Sequence, residues 1–343
     1  LIIFGKWLTM KAFQIRKYKG QLEQAEVPTP TVGPHDVLVK ISAASVNQLD
    51  ELLRVGTFKA TLSYPMPLTL GNDFAGEIAE LGVNVTTFKV GDRVFGKPNP
   101  SRIGTFADYI AIDARDIALV PKSLTDVEAA SLPLVALTAL QALEIGGVKS
   151  GDKVLIHGGA GGVGSMAIQL AKALGATVAT TAGTANVDFV RSLGADIVID
   201  YKNQDFSKEL SGYDFALDTQ GGETLMKTLT VLRPGAQVIG IAGPPDVAFA
   251  KASNLSPVFR VIFSLLSSKV NKRAKAVGVC YRFLWVQSSG KQLEKLAELV
   301  ESGKLKPFVA RKYSFDQTPE ALADLAVGKI SRGKAVIRVS AEA

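Results

Sequence analysis

The stretch His157-Gly158-Gly159-Ala160-Gly161-Gly162-Val163-Gly164 constrains the fold most, because it lies between an apolar run, Lys153–Ile156, and a helix-forming run, Ser165–Leu174. Gly159, Gly161 and Gly164 fall on G-x-G-x-x-G spacing, with Gly162 and Val163 inside the same turn. In that pattern the first glycine permits a tight turn, the second lets backbone approach a pyrophosphate, and the third lets helix pack on strand. A helix N-terminus there offers unpaired N–H groups and about half a positive charge, which favours an anion. A glycine-rich turn can also serve packing alone, so its surroundings matter.

Those surroundings alternate. Ala176–Thr181 and Asp196–Asp200 are β-branched runs with Val187–Leu193 between them, and Tyr213–Thr219, Ala236–Ala242 and Lys334–Val339 add three apolar strand candidates. Strand, helix, strand repetition predicts a mainly parallel sheet covered on both faces. About 20 residues beyond the glycines, a site for NAD places Asp or Glu on the ribose 2′-OH. Here that place holds Thr180-Thr181-Ala182-Gly183-Thr184. Without a carboxylate to repel a 2′-phosphate, NADP(H) is the expected cofactor and Thr181 a candidate contact. Lys202, Lys329 and Arg332 are the candidate positive partners, each also readable as a solvated surface charge.

With 343 residues and 47% hydrophobic content, the chain suits two domains. One cysteine, Cys280, excludes an intrachain disulfide and points to a reducing compartment, the cytoplasm; it reads as a small buried hydrophobe. Two distant histidines, His35 and His157, leave almost no material for a Cys/His zinc cage. The net charge of +7 is not that of a nucleic-acid binder, because aromatic and basic residues do not interleave. It is concentrated instead. No acidic residue occurs between Asp246 and Glu294, while Lys251, Arg260, Lys269, Lys272, Arg273, Lys275, Arg282 and Lys291 do. Within this stretch Val258–Leu266 is apolar, but too short and too charged to span a bilayer. It reads either as a core-packed helix with a basic outer face or as an amphipathic helix lying on a membrane or over a ligand cleft. Leu1–Met10 lacks the pattern of a secretory signal, and Met10 reads as the natural start, so the preceding residues are excluded from fold reasoning.

Ahead of the glycine motif, Asp36–Ala43, Gly76–Leu81 and Arg93–Phe95 read as short strands, with turns at Val32-Gly33-Pro34 and Val90-Gly91-Asp92. A helical segment, Asp126–Leu143, leads into the dinucleotide half, and after a helix at Gln292–Ser302 the chain returns to β structure from Leu305. The expected domains are residues 10–130 with 308–343, discontinuous and β-rich, and 131–307, dinucleotide-binding.

The segments Gly71-Asn72-Asp73-Phe74-Ala75-Gly76, Val90-Gly91-Asp92-Arg93-Val94, Leu132-Pro133 with Thr138-Ala139, Ala160–Gly164, Ser192-Leu193-Gly194-Ala195-Asp196 and Gly333-Lys334-Ala335-Val336 carry a resemblance. From Met10 on, the chain resembles the medium-chain dehydrogenase/reductase superfamily, in its zinc-free quinone oxidoreductase branch. The resemblance implies an α/β fold, a Rossmann dinucleotide-binding domain plus a GroES-like β-rich catalytic domain, with the active site in the cleft between them. In the zinc alcohol dehydrogenases of that superfamily a Cys, a His and a Cys hold the catalytic metal; the matching positions here are Asn47, Asn72 and Leu134. Amides are poor zinc ligands and leucine is none, so no metal is expected.

By the same resemblance, Asn47 lies beside nicotinamide and substrate, although it also reads as the N-cap of a helix containing Leu49–Leu53. Thr138 contacts the nicotinamide end, Gly161, Gly162 and Val163 the pyrophosphate, and Gly240-Ile241-Ala242 pass the nicotinamide. Tyr201 and Lys329 match contacts to the adenosine 2′-phosphate, whereas a lysine some relatives carry after the second strand has no counterpart near Asn186-Val187. Leu52 stands where some bacterial quinone reductases have tyrosine, and Phe58, Tyr64 and Phe283 are candidates either for an apolar pocket or for plain core packing. The implied function is NADPH-dependent, zinc-independent hydride transfer to quinones or to the activated C=C of α,β-unsaturated carbonyls, in a homodimer. The competing expectation is an NADPH-binding protein with little turnover, docked to membranes or partners by its basic apolar segment.

Overall fold

The computed structural model describes residues 9–340. The expectations for Leu1–Leu8 fall outside them. Two compact units emerge. One comprises the described chain up to Leu137 with Gln287–Gly303 and the part from Pro307 on; the other is Thr138–Val286 with Lys304–Lys306.

In the second unit six strands form one sheet, in the spatial order Ile197–Asp200, Thr177–Ala182, Lys153–Ile156, Tyr213–Asp218, Leu232–Gly240, Cys280–Phe283. Every pairing is parallel. Val154, Leu155, Ile156, Ala216 and Leu217 are wholly buried, as central strands covered on both faces must be. The order runs outward from the Lys153 strand in both directions. Its reversal lies between that strand and Tyr213–Asp218, where doubly wound sheets open a ligand crevice at their carboxyl ends.

The sixth strand, Cys280–Phe283, is not among the sequence candidates, whereas the candidate Lys334–Val339 forms strand Lys334–Arg338 of the β-rich unit, antiparallel to Asp36–Ser45 and parallel to Val309–Ser314. At the sheet edge Tyr281 is buried and Cys280 exposed, so this short strand alternates and lacks an apolar run; the cysteine is not the buried hydrophobe expected.

The β-rich unit is built around Asp36–Ser45. This strand pairs with Lys334–Arg338, Asp73–Leu81 and Tyr109–Asp113, and the sheet continues through Arg93–Gly96 to Ile117–Leu119. A smaller sheet joins Glu23–Pro28, Thr9–Ile15 and Leu68–Thr69. The expected helix Asp126–Leu143 is two helices, Asp126–Ala130 and Pro133–Ile145, because Pro133 cannot donate within a continuing helix but suits the first turn of a new one. The second of these carries the division between the units, after Leu137 rather than residue 130. Helix Gly290–Glu301 belongs with the β-rich unit, not the dinucleotide half. Gly290 approaches so closely that a Cβ would stand 2.3 Å from the Ile117 carbonyl oxygen.

Candidate cofactor and active site

The turn after Lys153–Ile156 leads into helix Gly162–Ala173, which starts three residues earlier than the sequence suggested. Gly158, outside the G-x-G-x-x-G frame, makes the tight turn with φ +66°. Gly159 serves packing instead: a Cβ there would lie 2.2 Å from Thr180 Oγ1 on the neighbouring strand. At Gly164 a Cβ would meet the Gly158 carbonyl oxygen at 2.2 Å, so helix and turn touch backbone to backbone. Gly161 is different. A Cβ would meet nothing nearer than that same oxygen, at 3.4 Å, so the direction is open. Gly161 is also the N-cap, no side chain caps the helix, and the first turn holds no acid. The N–H groups of Gly162, Val163 and Gly164 therefore have no intrahelical partner, an arrangement of backbone that favours an anion.

Behind the turn, His157 is 1% exposed and neutral, its imidazole pushed down to about 4 by burial. Its partners fix the tautomer. Thr228 donates to the Thr224 carbonyl at 2.8 Å, so it accepts from His157 Nε2 at 2.8 Å. His157 Nδ1 then accepts from the Thr181 hydroxyl at 3.2 Å, while Thr181 accepts the Gly158 N–H at 3.1 Å. Thr181, read in the sequence as a cofactor contact, is thus buried and holds the glycine turn from behind.

At the next strand end, Asp218 is fully buried, pushed upward by desolvation, and accepts N–H bonds from Gly221 at 2.9 Å and Gln220 at 3.3 Å. Thr219 donates to the His157 carbonyl at 2.9 Å, and Gln220 donates to Thr219 at 2.9 Å. These side chains face Gly158: a Cβ there would be 2.9 Å from both Gln220 Nε2 and Thr219 Oγ1. The sequence reading missed all three, although Asp218-Thr219-Gln220-Gly221-Gly222 is a turn signature directly after a strand.

The other cofactor candidates stand on different elements of the chain. Gly240 packs on the Tyr281 ring and its carbonyl accepts from Leu284, Ile241 donates to the Asp218 carbonyl, and Ala242 is exposed. Tyr201 is 60% exposed with its hydroxyl beside Gly183. Asp200, on the neighbouring strand, accepts from Thr184 at 2.6 Å and from Asn203 at 2.7 Å, and these bonds hold it below the usual carboxylate range. A carboxylate therefore does lie beside the threonine run, but the chain's own donors engage it. Thr138 is buried in helix Pro133–Ile145. Lys329, in the β-rich unit, pairs with Asp324 at 2.7 Å.

In the β-rich unit, Asn47 ends the central strand region and caps helix Gln48–Arg54, where its backbone N–H donates to Asp50 at 2.8 Å. Its side chain points into a buried network. Asn47 Nδ2 donates to Asp73 at 2.9 Å, and Lys334 Nζ donates to Asn47 Oδ1 and to the Val46 carbonyl at 2.8 Å, with Asp73 at 3.5 Å. Asp73 also accepts from Ser45 at 2.9 Å and from the Leu134 N–H at 2.7 Å. Asn72 donates to Asp50 at 2.7 Å. Burial pushes Asp50 up to about 7 against these donors, and pushes Lys334 downward against the Asp73 and Asp50 charges. Lys97, wholly buried, is pushed down to about 8 by desolvation and donates to the Pro98 carbonyl at 3.2 Å and to Ser288 at 3.4 Å.

Two family descriptions match the chain: an alcohol dehydrogenase GroES-like domain over residues 33–122 and a zinc-binding dehydrogenase over 193–337. The 2-methylene-furan-3-one reductase of Solanum lycopersicum is 36% identical, covering 96% of this chain and 79% of that protein. The chloroplastic NADPH-dependent alkenal/one oxidoreductase of Arabidopsis thaliana is 34% identical over 94% of this chain and 78% of its own length. A solved quinone oxidoreductase from Coxiella burnetii superposes with TM-score 0.84 at 34% identity, covering 97% of this chain and all 100% of that one. The chain is a medium-chain dehydrogenase/reductase. Within the superfamily it belongs to the quinone and enone reductase branch.

One of the two family descriptions that this medium-chain dehydrogenase/reductase matches implies a zinc site. The residues do not fit. Of the three matching positions, Leu134 has an aliphatic side chain with no ligand atom, and both amides face hydrogen-bond partners, Asn72 with Asp50 and Asn47 with Asp73 and Lys334. An ammonium group on Asn47 Oδ1 is the opposite of what a zinc ligand shell supplies.

Of the expected pocket residues of this reductase, Tyr64 is 8% exposed and donates to the Pro100 carbonyl at 2.6 Å, Phe58 packs on the β-rich core, and Phe283 meets Phe249 edge-on at 5.2 Å in the other unit. Leu52 is 38% exposed. The sequence reading missed Asp50, Asp73, Lys97 and Lys334 as site residues. The available signal was the Asn47…Asp50 spacing of a capped helix; the others resemble ordinary surface charges.

Proposed function

We propose that this chain is an NADPH-dependent reductase that transfers hydride, without metal, to quinones or to the activated C=C of α,β-unsaturated carbonyls. The observation that carries it is the uncapped, acid-free start of helix Gly162–Ala173 beside the open Gly161, a cradle for a pyrophosphate. The names of the relatives supply the substrate class: one acts on a 2-methylene-furan-3-one, one on alkenals and enones, one on quinones. When bound, NADPH supplies the hydride.

The residues that would hold it are Gly161, Gly162, Val163 and Gly164 at the pyrophosphate, Gly240, Ile241, Ala242 and Thr138 at the nicotinamide end, and Tyr201 with Lys329 at the 2′-phosphate. Gly159 and Thr181 shape the turn from behind. Asn47 positions substrate and nicotinamide, its amide held by Lys334 and Asp73. The acceptor is a small lipophilic electrophile, the protein is a homodimer, and the lone cysteine suits the cytoplasm, whereas the Arabidopsis thaliana relative is named chloroplastic. Among the described residues no helix is long and apolar enough to cross a membrane.

Stopped-flow oxidation of NADPH against 9,10-phenanthrenequinone, 1,4-benzoquinone, an alkenal and an enone tests this, with NADH and a chelator as controls. Chelator-resistant turnover favouring NADPH is expected. Tight NADPH binding with no turnover on any acceptor, or turnover abolished by the chelator, would overturn it.

A further inference from the structure

Helix Pro257–Ala276 spans 20 residues, about 30 Å at 1.5 Å per residue, and has two unlike faces. Phe263, Ser267, Val270 and Ala274 turn inward, with Phe263 stacked on Phe249 at 5.9 Å. These positions recur every three to four residues, the spacing of one buried stripe. Opposite them, Val258, Val261, Ile262, Leu265 and Leu266 are exposed, from 40% for Ile262 to 70% for Leu265. Their spacing places them on one outward face that this unit leaves uncovered. Further along the helix, the same angular sector is occupied by Lys269, Lys272 and Arg273, all exposed. None of these three has an ion-pair partner among the described residues, and no acidic residue lies between Asp246 and Glu294.

We infer that this face docks the protein onto an anionic lipid surface. Charge complementarity selects that occupant. An apolar patch meeting a second protein surface would be served by neutral or mixed charge around it, whereas here cations continue the apolar stripe with no anion in the surrounding chain. That combination is the one by which an amphipathic helix lies in a lipid interface, apolar side chains among the acyl boundary and ammonium and guanidinium groups at the phosphates. The contact is peripheral. The inward face stays packed on its own unit, so docking needs no unfolding.

Co-sedimentation of the full chain with phosphatidylcholine vesicles, and with vesicles containing 30% phosphatidylserine, tests this. Binding is expected only to the anionic vesicles and is expected to fall at least tenfold in 0.5 M NaCl, since these charges are exposed. The double variants Lys272→Glu/Arg273→Glu and Val261→Ser/Leu265→Ser are each expected to lose at least tenfold in vesicle affinity while keeping parental oxidation of NADPH with a water-soluble acceptor. A Leu265→Trp variant gives a readout that does not depend on loss, a blue shift in emission on adding anionic vesicles. Equal partition to both vesicle types, or none to either, would overturn the inference. So would light scattering showing a parental dimer that Val261→Ser/Leu265→Ser converts to monomer, because the face would then be covered by a second copy. Vesicle binding without NADPH oxidation would leave this inference standing and remove the reductase reading; the reverse result separates them equally well.

Discussion

At Gly158–Gly164 the parallel-sheet unit makes its site out of backbone, with threonine, histidine and glutamine side chains placed behind and beside it. Around Asn47 the β-rich unit does the reverse, burying two carboxylates, an ammonium group and two amides in one hydrogen-bonded network. The first construction depends on what is missing, a Cβ at Gly164 or Gly161. The second depends on every member being present, since removing one partner leaves another charge buried and unpaired. Backbone sites therefore fail by obstruction, and side-chain networks fail by loss.

The largest expected effect lies in the network. Asp73→Leu leaves Lys334 buried with only neutral acceptors, and unfolding in urea should show a loss of about 3–5 kcal/mol. A Lys334→Met variant should lose a similar amount, yet the double variant should lose clearly less than the sum, since a neutral pair has no orphaned charge. Strict additivity would break the comparison, because the network would then be a set of independent contacts.

The glycine turn sharpens it from the other side. Gly164→Ala forces a Cβ against the Gly158 carbonyl oxygen and should cost about 1–3 kcal/mol in thermal or urea unfolding. Gly161→Val should instead leave the melting temperature nearly unchanged and abolish NADPH binding in a fluorescence titration, because its Cβ direction is open only until a phosphate arrives. Unchanged affinity in Gly161→Val would move the anion site elsewhere.

An effect of similar size concerns pH. His157 is depressed from 6.5 to about 4, so the folded state binds fewer protons than the unfolded one in that window and stability rises with pH across it. Asp50 is raised from 3.8 to about 7, so the folded state binds more protons and stability falls as pH rises through nearly the same window. The two slopes oppose each other. Asp50→Asn removes the falling one, so its unfolding free energy from urea titrations should climb more steeply than the parent's between pH 4 and 6.5, by on the order of 3 kcal/mol in total. Parallel profiles would show that Asp50 does not titrate in this range.

The smallest change in stability is expected at Lys329→Met. The lysine is 64% exposed, so losing its pair with Asp324 should cost less than about 1 kcal/mol. Its value lies in the kinetics: KM for NADPH should rise several-fold with KM for NADH unchanged, and equal effects on both would remove Lys329 from the 2′-phosphate site.

This contrast also explains what could be read from the sequence. Lys153–Ile156, Tyr213–Asp218 and the glycine turn were legible because apolar runs and glycine spacing are local consequences of covered strands and close backbone approach. Cys280–Phe283 was not, since an edge strand with one buried face and four residues has almost no periodic signal. The job of Gly159 was misassigned because spacing cannot say which of two adjacent glycines takes positive φ; Gly158 does. In the β-rich unit the strands were visible but the network was not. Asp50, Asp73 and Lys334 are far apart in the chain and each, taken singly, has the composition of a solvated surface, so only the fold reveals that they neutralise one another.

That separation has a consequence for how the molecule is made. The single Lys334 ammonium group that meets both side chains lies 261 residues after Asp73 and 287 after Asn47. During synthesis at about 5–20 residues per second, Asp73 waits many seconds for Lys334, whereas every strand of the parallel sheet, the last ending at Phe283, is made before it. Nascent chains that stop before Lys334 would therefore carry an unfinished β-rich lobe, exposed to chaperones and proteases, although every strand of the parallel sheet has been made.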